Sequence, residues 1–353
     1  MSMDTSSKRL NEREELILHA VVHTYITSAE PVGSRTIVKR YGLEFSPATV
    51  RNVMADLEED GYIQQVHTSS GRVPTDKGYR YFVDCLMQVQ ELTLAERAHI
   101  ERDLTVKLHD ADEALRQTSH LLALVSHHTG IVNVPNESDA QVNFIELMQV
   151  SSHRVAVMIA DSMGRVHTAT VGFDQPLDRD ELMRLSRFLN ENFRGVRMEN
   201  IVPAIHSRLR IFVDEQHRLA EQALSLFTMM PPSRSALLYM DGVSQLFEHP
   251  EFQDVTRAQA VFSMLDQRER LSEFLRAQLR DRGSAKAAVI IGHESHAPEL
   301  EEISLVAAPY AVADKTVGMI GVLGPKRMHY SKITAVVEYT SNLLSRLLTR
   351  LAT

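Results

Sequence analysis

Arg51 and Asn52 lie near the start of the stretch FSPATVRNVMADLEEDGYIQQVHTSSGRVPTDKGYRYF, Phe45 to Phe82, and both have side chains suited to reading nucleic-acid bases. Arginine can donate twice to the O6 and N7 edge of guanine, and asparagine can pair with the N6 and N7 edge of adenine. That chemistry needs an element that shows both on one exposed face among small neighbours. Helical spacing around Val50 puts Val53, Met54 and Leu57 on one side and Ala48, Arg51, Asn52 and Ala55 on the other. The first side is core. The second is small and polar enough to enter a major groove. Thr49, near the positive end of the helix dipole, suits a phosphate, as do Ser34, Arg35 and Thr36 at the start of the preceding helix.

The flanking residues supply elements to position these groups. Ser46 and Pro47 read as an N-cap followed by proline at the first helical position, and Gly42 in YGLEFS can take the positive φ of a turn. Upstream, Ser34 opens a helix that carries Ile37 and Val38 inward. Asn11 and Glu14, spaced as a capping box, open an earlier one carrying Leu16, Ile17, Ala20, Val21 and Thr24. This is a helix-turn-helix skeleton. After Gly61, YIQQVH and RVPT flank TSSG as two short strands around a turn, and Thr75 caps a helix with Tyr79, Phe82, Val83 and Leu86 inward. The hairpin makes the skeleton a winged helix. Its tip presents Thr68, Ser69, Ser70 and Arg72 to the backbone or minor groove of double-stranded DNA, and Lys77 and Arg80 add phosphate contacts. Winged helices also serve as protein-interaction modules, and an Arg-Asn pair on a helix is commonly just solvated surface. The joint presence of the small polar face and the basic turn favours DNA.

Composition limits the alternatives. The chain has 353 residues, 44% of them hydrophobic, which suits two or three globular domains. Its 46 acidic residues exceed its 38 basic ones, so binding to a polyanion must come from local placement. The acidic DLEED at the far end of the Arg51 helix keeps the segment near neutral while lying away from a duplex. A single cysteine, Cys85, excludes an internal disulfide and fits a reducing compartment. MSMDTSSKRLNEREE lacks the apolar core of a signal peptide, and no run approaches the roughly 20 apolar residues of a membrane span. A cytoplasmic protein with no membrane partner is expected.

Beyond the winged helix, Ile100, Leu104, Leu108, Leu115, Leu122 and Val125 recur along one stripe between Leu92 and Thr129, which predicts a long linking helix ended by Gly130. Period-two alternation then predicts strands at QVNFIELMQV, HRVAVMIAD and RVHTATVGF, the last two joined by a turn at Ser162, Met163 and Gly164. A mostly helical stretch from Leu177 to about Leu279 follows, with a strand at ALLYMDG. Strands return at AKAAVIIG, ISLVAAPYAV and TVGMIGVLG before a final helix. A sheet split around helices reads as one domain inserted in another.

Other chemistry is weaker. His127, His128 and GHESH at His293 and His296 invite a metal, but the last pair is three apart beside strand-like sequence, not four apart on a helix, so no metal is expected. DSMGR lacks the spacing of a nucleophile elbow. GMIGVLG, with Gly318, Gly321 and Gly324, alternates like a strand and opens no helix, so no nucleotide cofactor is expected. The expected protein is not an enzyme.

From FSPATVRNVMADLEEDGYIQQVHTSSGRVPTDKGYRYFVD the chain resembles the HrcA family of heat-inducible transcription repressors, with helix, wing and following helix matching together. The likeness covers nearly the whole chain and is strongest from Pro31 to Asp84. Val66 and Ser70 stand where the family often has proline and alanine. The resemblance implies a homodimer that binds the CIRCE inverted repeat upstream of chaperone operons such as groE and dnaK, kept active by a GroEL-type chaperonin. It also implies a GAF-like domain with an inserted dimerising domain. The expectation is therefore an α+β chain: a winged helix-turn-helix at 1–90, a linker helix at 91–137, a GAF-like α/β sheet domain at 138–177 and 263–353, and a dimerising insert at 178–262. Apolar insert residues such as Leu226, Phe227, Leu237, Leu238 and Leu246 are then dimer-contact candidates. A metabolite-sensing regulator is the competing reading. Against it, side chains such as Phe144, Met158 and Met319 would fill the sheet domain's own pocket.

Overall fold

A computed structural model describes residues 9–66, 71–105, 110–134, 140–162, 164–173, 178–209, 215–230, 238–281, 286–313 and 315–352. The chain is α+β. Its first part runs α1 (Glu12–Ser28), α2 (Ser34–Tyr41), α3 (Pro47–Glu59), β1 (Ile63–Gln65), β2 (Arg72–Pro74) and α4 (Asp76–Tyr81), the last extended by a wider turn at Phe82–Leu86. Local signals set these starts. The Asn11 side chain accepts from the Arg13 and Glu14 amides while Glu14 caps back, the Ser46 hydroxyl accepts from the Thr49 amide, and the Thr75 hydroxyl from that of Gly78. Leu16 departs from the expected inward set of α1 and is exposed, whereas Ile17, Ala20, Val21 and Thr24 are buried.

The expected single linking helix is two: α5 (Leu94–Thr105) and α6 (Ala111–Ser126). The reason is a cap inside the apolar stripe. Asp110 Oδ1 accepts from the Glu113 amide at 2.7 Å and starts a new helix there. Nor does Gly130 end the helix: His127 does, at a left-handed φ of 56°. Gly130 lies in the next strand, where a Cβ would stand 2.1 Å from the Ser119 carbonyl, so its lack of a side chain lets α6 lie against the sheet.

The strands are β3 (Thr129–Asn133), β4 (Val142–Ser151), β5 (Arg154–Asp161), β6 (Val166–Gly172), β7 (Leu238–Asp241), β8 (Ala288–Ile291), β9 (Ile303–Val312) and β10 (Lys315–Pro325). Between β6 and β7 come α7 (Arg179–Phe193), α8 (Ile201–Leu209) and α9 (Glu215–Met229). Between β7 and β8 come α10 (Val243–Leu246), α11 (Val255–Asp266) and α12 (Arg268–Asp281), and α13 (Tyr330–Ala352) closes the chain. Among the described residues, two larger antiparallel sheets form, one ordered β7-β3-β10-β9-β8 and the other β4-β5-β6.

This pairing corrects the expected grouping of 138–177 with 263–353 in one sheet. Among the described residues, β4 to β6 form a sheet of their own and close a separate core, in which Ile145, Val157 and Ile159 meet Leu185, Phe188 and Leu189 of α7 and Leu226 of α9. Conversely, β3, expected in the linker, and β7, expected in the insert, complete the sheet of β8 to β10. That sheet is buried on both faces. Val306, Ala308, Ile320 and Val322 face α6 and α13, while Leu305, Ala307, Met319 and Leu323 face the layer of α10 to α12. Leu238 and Leu246 belong to this second layer rather than to a dimer contact of the insert, and Leu237 lies outside the described residues. Of the expected pocket fillers, only Met319 is buried in this sheet; Phe144 and Met158 belong to the three-stranded one, and Phe144 is exposed.

Candidate nucleic-acid interface

Helix α3 is divided as its spacing requires. Val50, Val53, Met54 and Leu57 are buried against α1 and α2, and Ala48, Arg51, Asn52 and Ala55 are exposed on the opposite side. Gly42 ends α2 at a φ of 59°, and Ser46 with Pro47 then restarts the chain as α3. The turn between the two helices therefore rests on residues whose backbone preferences suit it. Arg35 and Thr36 are exposed at the start of α2, whereas Ser34 is buried beside them. Lys39 and Arg40, exposed in the last turn of α2, add basic groups that the sequence reading passed over. For Lys39 the signal was present, since helical spacing puts it opposite the inward Ile37–Val38 pair. Thr49 is half-buried, and its hydroxyl lies 2.9 Å from that of Ser46, so it belongs to the cap.

The hairpin pairs Ile63 with Pro74, Gln64 with Val73 and Gln65 with Arg72. Val32, just before α2, joins it by exchanging two 2.9 Å backbone hydrogen bonds with Arg72, a tie that no periodicity announced. Ile63 and Pro74 form the base of the hairpin, and Arg72, opposite Gln65, stands at the loop end of the ladder. Its Nε donates to Glu58 Oε2 at 2.8 Å, and Glu58 Oε1 accepts the Gln65 amide at 3.0 Å, which pins the hairpin to the end of α3. Part of the acidic DLEED run thus holds the fold together. Thr68, Ser69 and Ser70 of the expected tip lie outside the described residues.

Lys77 and Arg80 are also engaged. Lys77 Nζ donates to the Asp60 carbonyl at 2.8 Å and sits 4.4 Å from the centre of the Tyr62 ring. Arg80 turns away from α3 altogether. It donates through Nε to Glu294 at 2.6 Å, through Nη1 to Asp84 at 3.0 Å and through Nη2 to the Val289 carbonyl at 2.7 Å. Desolvation opposes its charge, but hydrogen bonding and attraction from Glu294, helped by Asp84, outweigh it and raise its pKa. A guanidinium committed to the sheet that bears α13 is not a phosphate contact, which corrects that expectation for Arg80. On α2 and α3, the residues left exposed include Arg35, Thr36, Lys39, Arg40, Ala48, Arg51 and Asn52.

Comparison with known proteins finds relatives along nearly the whole chain. A family profile described as the HrcA protein C terminal domain matches residues 112–334. The heat-inducible transcription repressor HrcA of Geobacter sulfurreducens is 38% identical over 339 residues, covering 96% of this chain and 98% of that one. Its namesake from Pelotomaculum thermopropionicum is 36% identical over 350 residues, covering 97% and 98%. A crystal structure of a hypothetical protein at 2.2 Å resolution covers 97% of this chain and 100% of its own, with a TM-score of 0.68 and 24% identity, so the fold is shared.

Proposed function

The chain belongs to the HrcA family of heat-inducible transcription repressors, and from that premise we propose that it represses by gripping an inverted-repeat operator through a winged helix-turn-helix formed by α2, α3 and the β1–β2 hairpin. The observation that carries this reading is the two-sidedness of α3. Its apolar side is wholly committed to the core, and its exposed side offers Arg51 and Asn52 among alanines. Small neighbours let the helix approach base edges, and the two long polar side chains supply donors matched to guanine and adenine. Arg35 and Thr36, with Lys39 and Arg40, position the helix through phosphates.

A palindromic operator is matched by a two-fold symmetric protein, because each half-site must meet the same surface. We therefore read the active form as a homodimer, joined through the unit of β4 to β6 and α7 to α9, which has a core of its own. The operator in this reading is a CIRCE-type repeat upstream of chaperone operons, and a GroEL-type chaperonin keeps the repressor folded and active. Heat-damaged proteins then compete for the chaperonin and release the genes. No helix among the described residues is long and apolar enough to cross a membrane, which suits action on cytoplasmic DNA. The GAF-like reading applies to the β7-β3-β10-β9-β8 sheet. Its two faces are filled by its own side chains, which supports a structural rather than a metabolite-sensing role.

The test is fluorescence anisotropy of a CIRCE-type inverted repeat against a scrambled duplex at one fixed near-physiological salt, with and without chaperonin. Preference for the repeat that chaperonin strengthens is the expected result. Equal binding to both duplexes by a folded dimer overturns the proposal, and preference indifferent to chaperonin removes that part of it.

A further inference from the structure

Helix α4 is fastened to the body of the molecule by charged groups that DNA reading does not use. Arg80 reaches Glu294 and the Val289 carbonyl. One turn earlier on the same face, Asp76 accepts the His293 amide at 3.1 Å, meets His293 Nδ1 at 2.7 Å and pairs with Lys326 Nζ at 2.9 Å. Burial alone would raise the Asp76 pKa, but the His293 and Lys326 contacts outweigh it and keep the carboxyl below its usual range. The body approaches closely here: a Cβ on Gly292 would stand 2.3 Å from the Asp76 carboxylate. Between the two polar contacts, buried Tyr79 sets its ring 6.0 Å from that of Tyr330 at the start of α13.

The other side of α4 is fixed to the DNA-facing elements. Thr75 Oγ1 donates to the Gly61 carbonyl at 2.7 Å, Lys77 Nζ to the Asp60 carbonyl at 2.8 Å, and Gly78 lies against the Tyr62 backbone. The angle of α3 to the body is thus transmitted through α4. Apolar packing alone allows rolling and sliding. Directional charge-assisted hydrogen bonds from two positions a turn apart do not.

We propose that Asp76 and Arg80, clasped by His293, Glu294 and Lys326, are positioning residues that fix the separation of the two α3 helices in the dimer and so select the spacing between operator half-sites. This rests on the DNA-reading dimer proposed above. Adding about 5 base pairs to a spacer moves the second half-site by about 17 Å and turns it to the opposite side of the duplex. Two rigidly held heads reject that spacer. Heads on a loosened hinge tolerate it.

The experiment compares the full-length wild type with Lys326→Ala and Glu294→Gln, changed on the body side of the clasp. Affinities are measured for a single half-site and for inverted repeats carrying the natural spacer or one longer by about 5 or about 10 base pairs. The wild type should prefer the natural spacer over the half-turn insertion by roughly tenfold or more, and each variant by only roughly two- to threefold, with half-site affinity and dimer mass unchanged. A wild-type spacer ratio in both variants overturns the proposal. So does a parallel loss of half-site affinity, which would assign the clasp to DNA contact or folding, or an equal loss on every repeat, which would assign it to dimerisation. If the wild type fails to distinguish any repeat from scrambled duplex, the DNA reading itself falls and the clasp's role with it.

Discussion

His128 Nδ1 lies 3.1 Å from His249 Nε2, with the two rings tilted 37° to each other where α6 gives way to β3. Arg327, paired with Glu251, places Nη2 3.4 Å from His249 Nδ1. A guanidinium only donates, so His249 accepts at Nδ1, carries its proton at Nε2 and donates to His128. The relay needs both rings neutral. Burial pushes His128 down from 6.5 to about 3, and His249, Arg327, His127 and His329 add to the shift.

The consequence is acid sensitivity of known sign. Between about pH 6.5 and about 3 the unfolded chain binds a proton at His128 that the folded chain refuses, so stability is full above that window and falls as pH drops through it. At pH 5.5 this group alone should cost about 1.4 kcal/mol. Urea denaturation at pH 7.5 and 5.5 should show a larger loss for the wild type than for His128→Phe, which keeps a ring against Gly324. Equal losses would assign the acid response to other groups.

Local signals in the sequence carried most of the first part of the fold. Asn11, Ser46 and Thr75 announced helix starts because capping is settled within a few residues. The two faces of α3 followed from spacing alone. Long-range pairing was not legible in that way, since HRVAVMIAD and ISLVAAPYAV both read simply as strands. Their difference lay in a detail: alternate residues of β5 are buried, as in a sheet covered on one side, whereas β9 is buried nearly throughout, as in a sheet covered on both. For the candidate site, residue type identified Arg51 and Asn52 as groups able to read bases. It could not reveal that Arg72, Lys77 and Arg80 have partners, because Glu58, Asp60 and Glu294 are brought to them by the fold.

The buried Asp161–Arg165 pair should be costly to break. Arg165 Nε lies 3.1 Å from Asp161 Oδ2, both side chains are almost fully enclosed, and His167 Nε2 meets the same carboxylate at 3.0 Å. Asp161→Ala removes a carboxylate that a buried guanidinium and His167 both contact and should destabilise by about 3–5 kcal/mol. Glu199→Ala, at the exposed Arg197–Glu199 contact, should stay within about 0.5 kcal/mol. Chemical denaturation of the two variants side by side checks the contrast.

Gly78→Ala should destabilise even though alanine is the better helix former. A Cβ at position 78 would stand 2.1 Å from the Tyr62 carbonyl, so α4 must move off the hairpin base. The propensity gain of about 0.5–1 kcal/mol is outweighed by overpacking of about 1–3 kcal/mol or more. A lowered melting temperature is expected, and a raised one would show that the contact yields easily.

The roles of the exposed basic groups separate by how their loss depends on sequence and salt. Arg51→Ala should weaken operator binding by about 1–3 kcal/mol and relax preference at one base pair, because a bidentate contact to a base edge is lost. Arg35→Ala should weaken operator and scrambled duplex alike and lower the salt slope by about one, the mark of a phosphate contact. Lys77→Ala should leave the slope near the wild-type value, since its ammonium is held by the Asp60 carbonyl and the Tyr62 ring. Titrations across a salt series, with a panel of single-base operator variants, distinguish the three. An unchanged base preference for Arg51→Ala would remove it from base reading and shift that role to Asn52 or to a residue of α2, while a lowered slope for Lys77→Ala would mean that DNA draws the ammonium off its carbonyl.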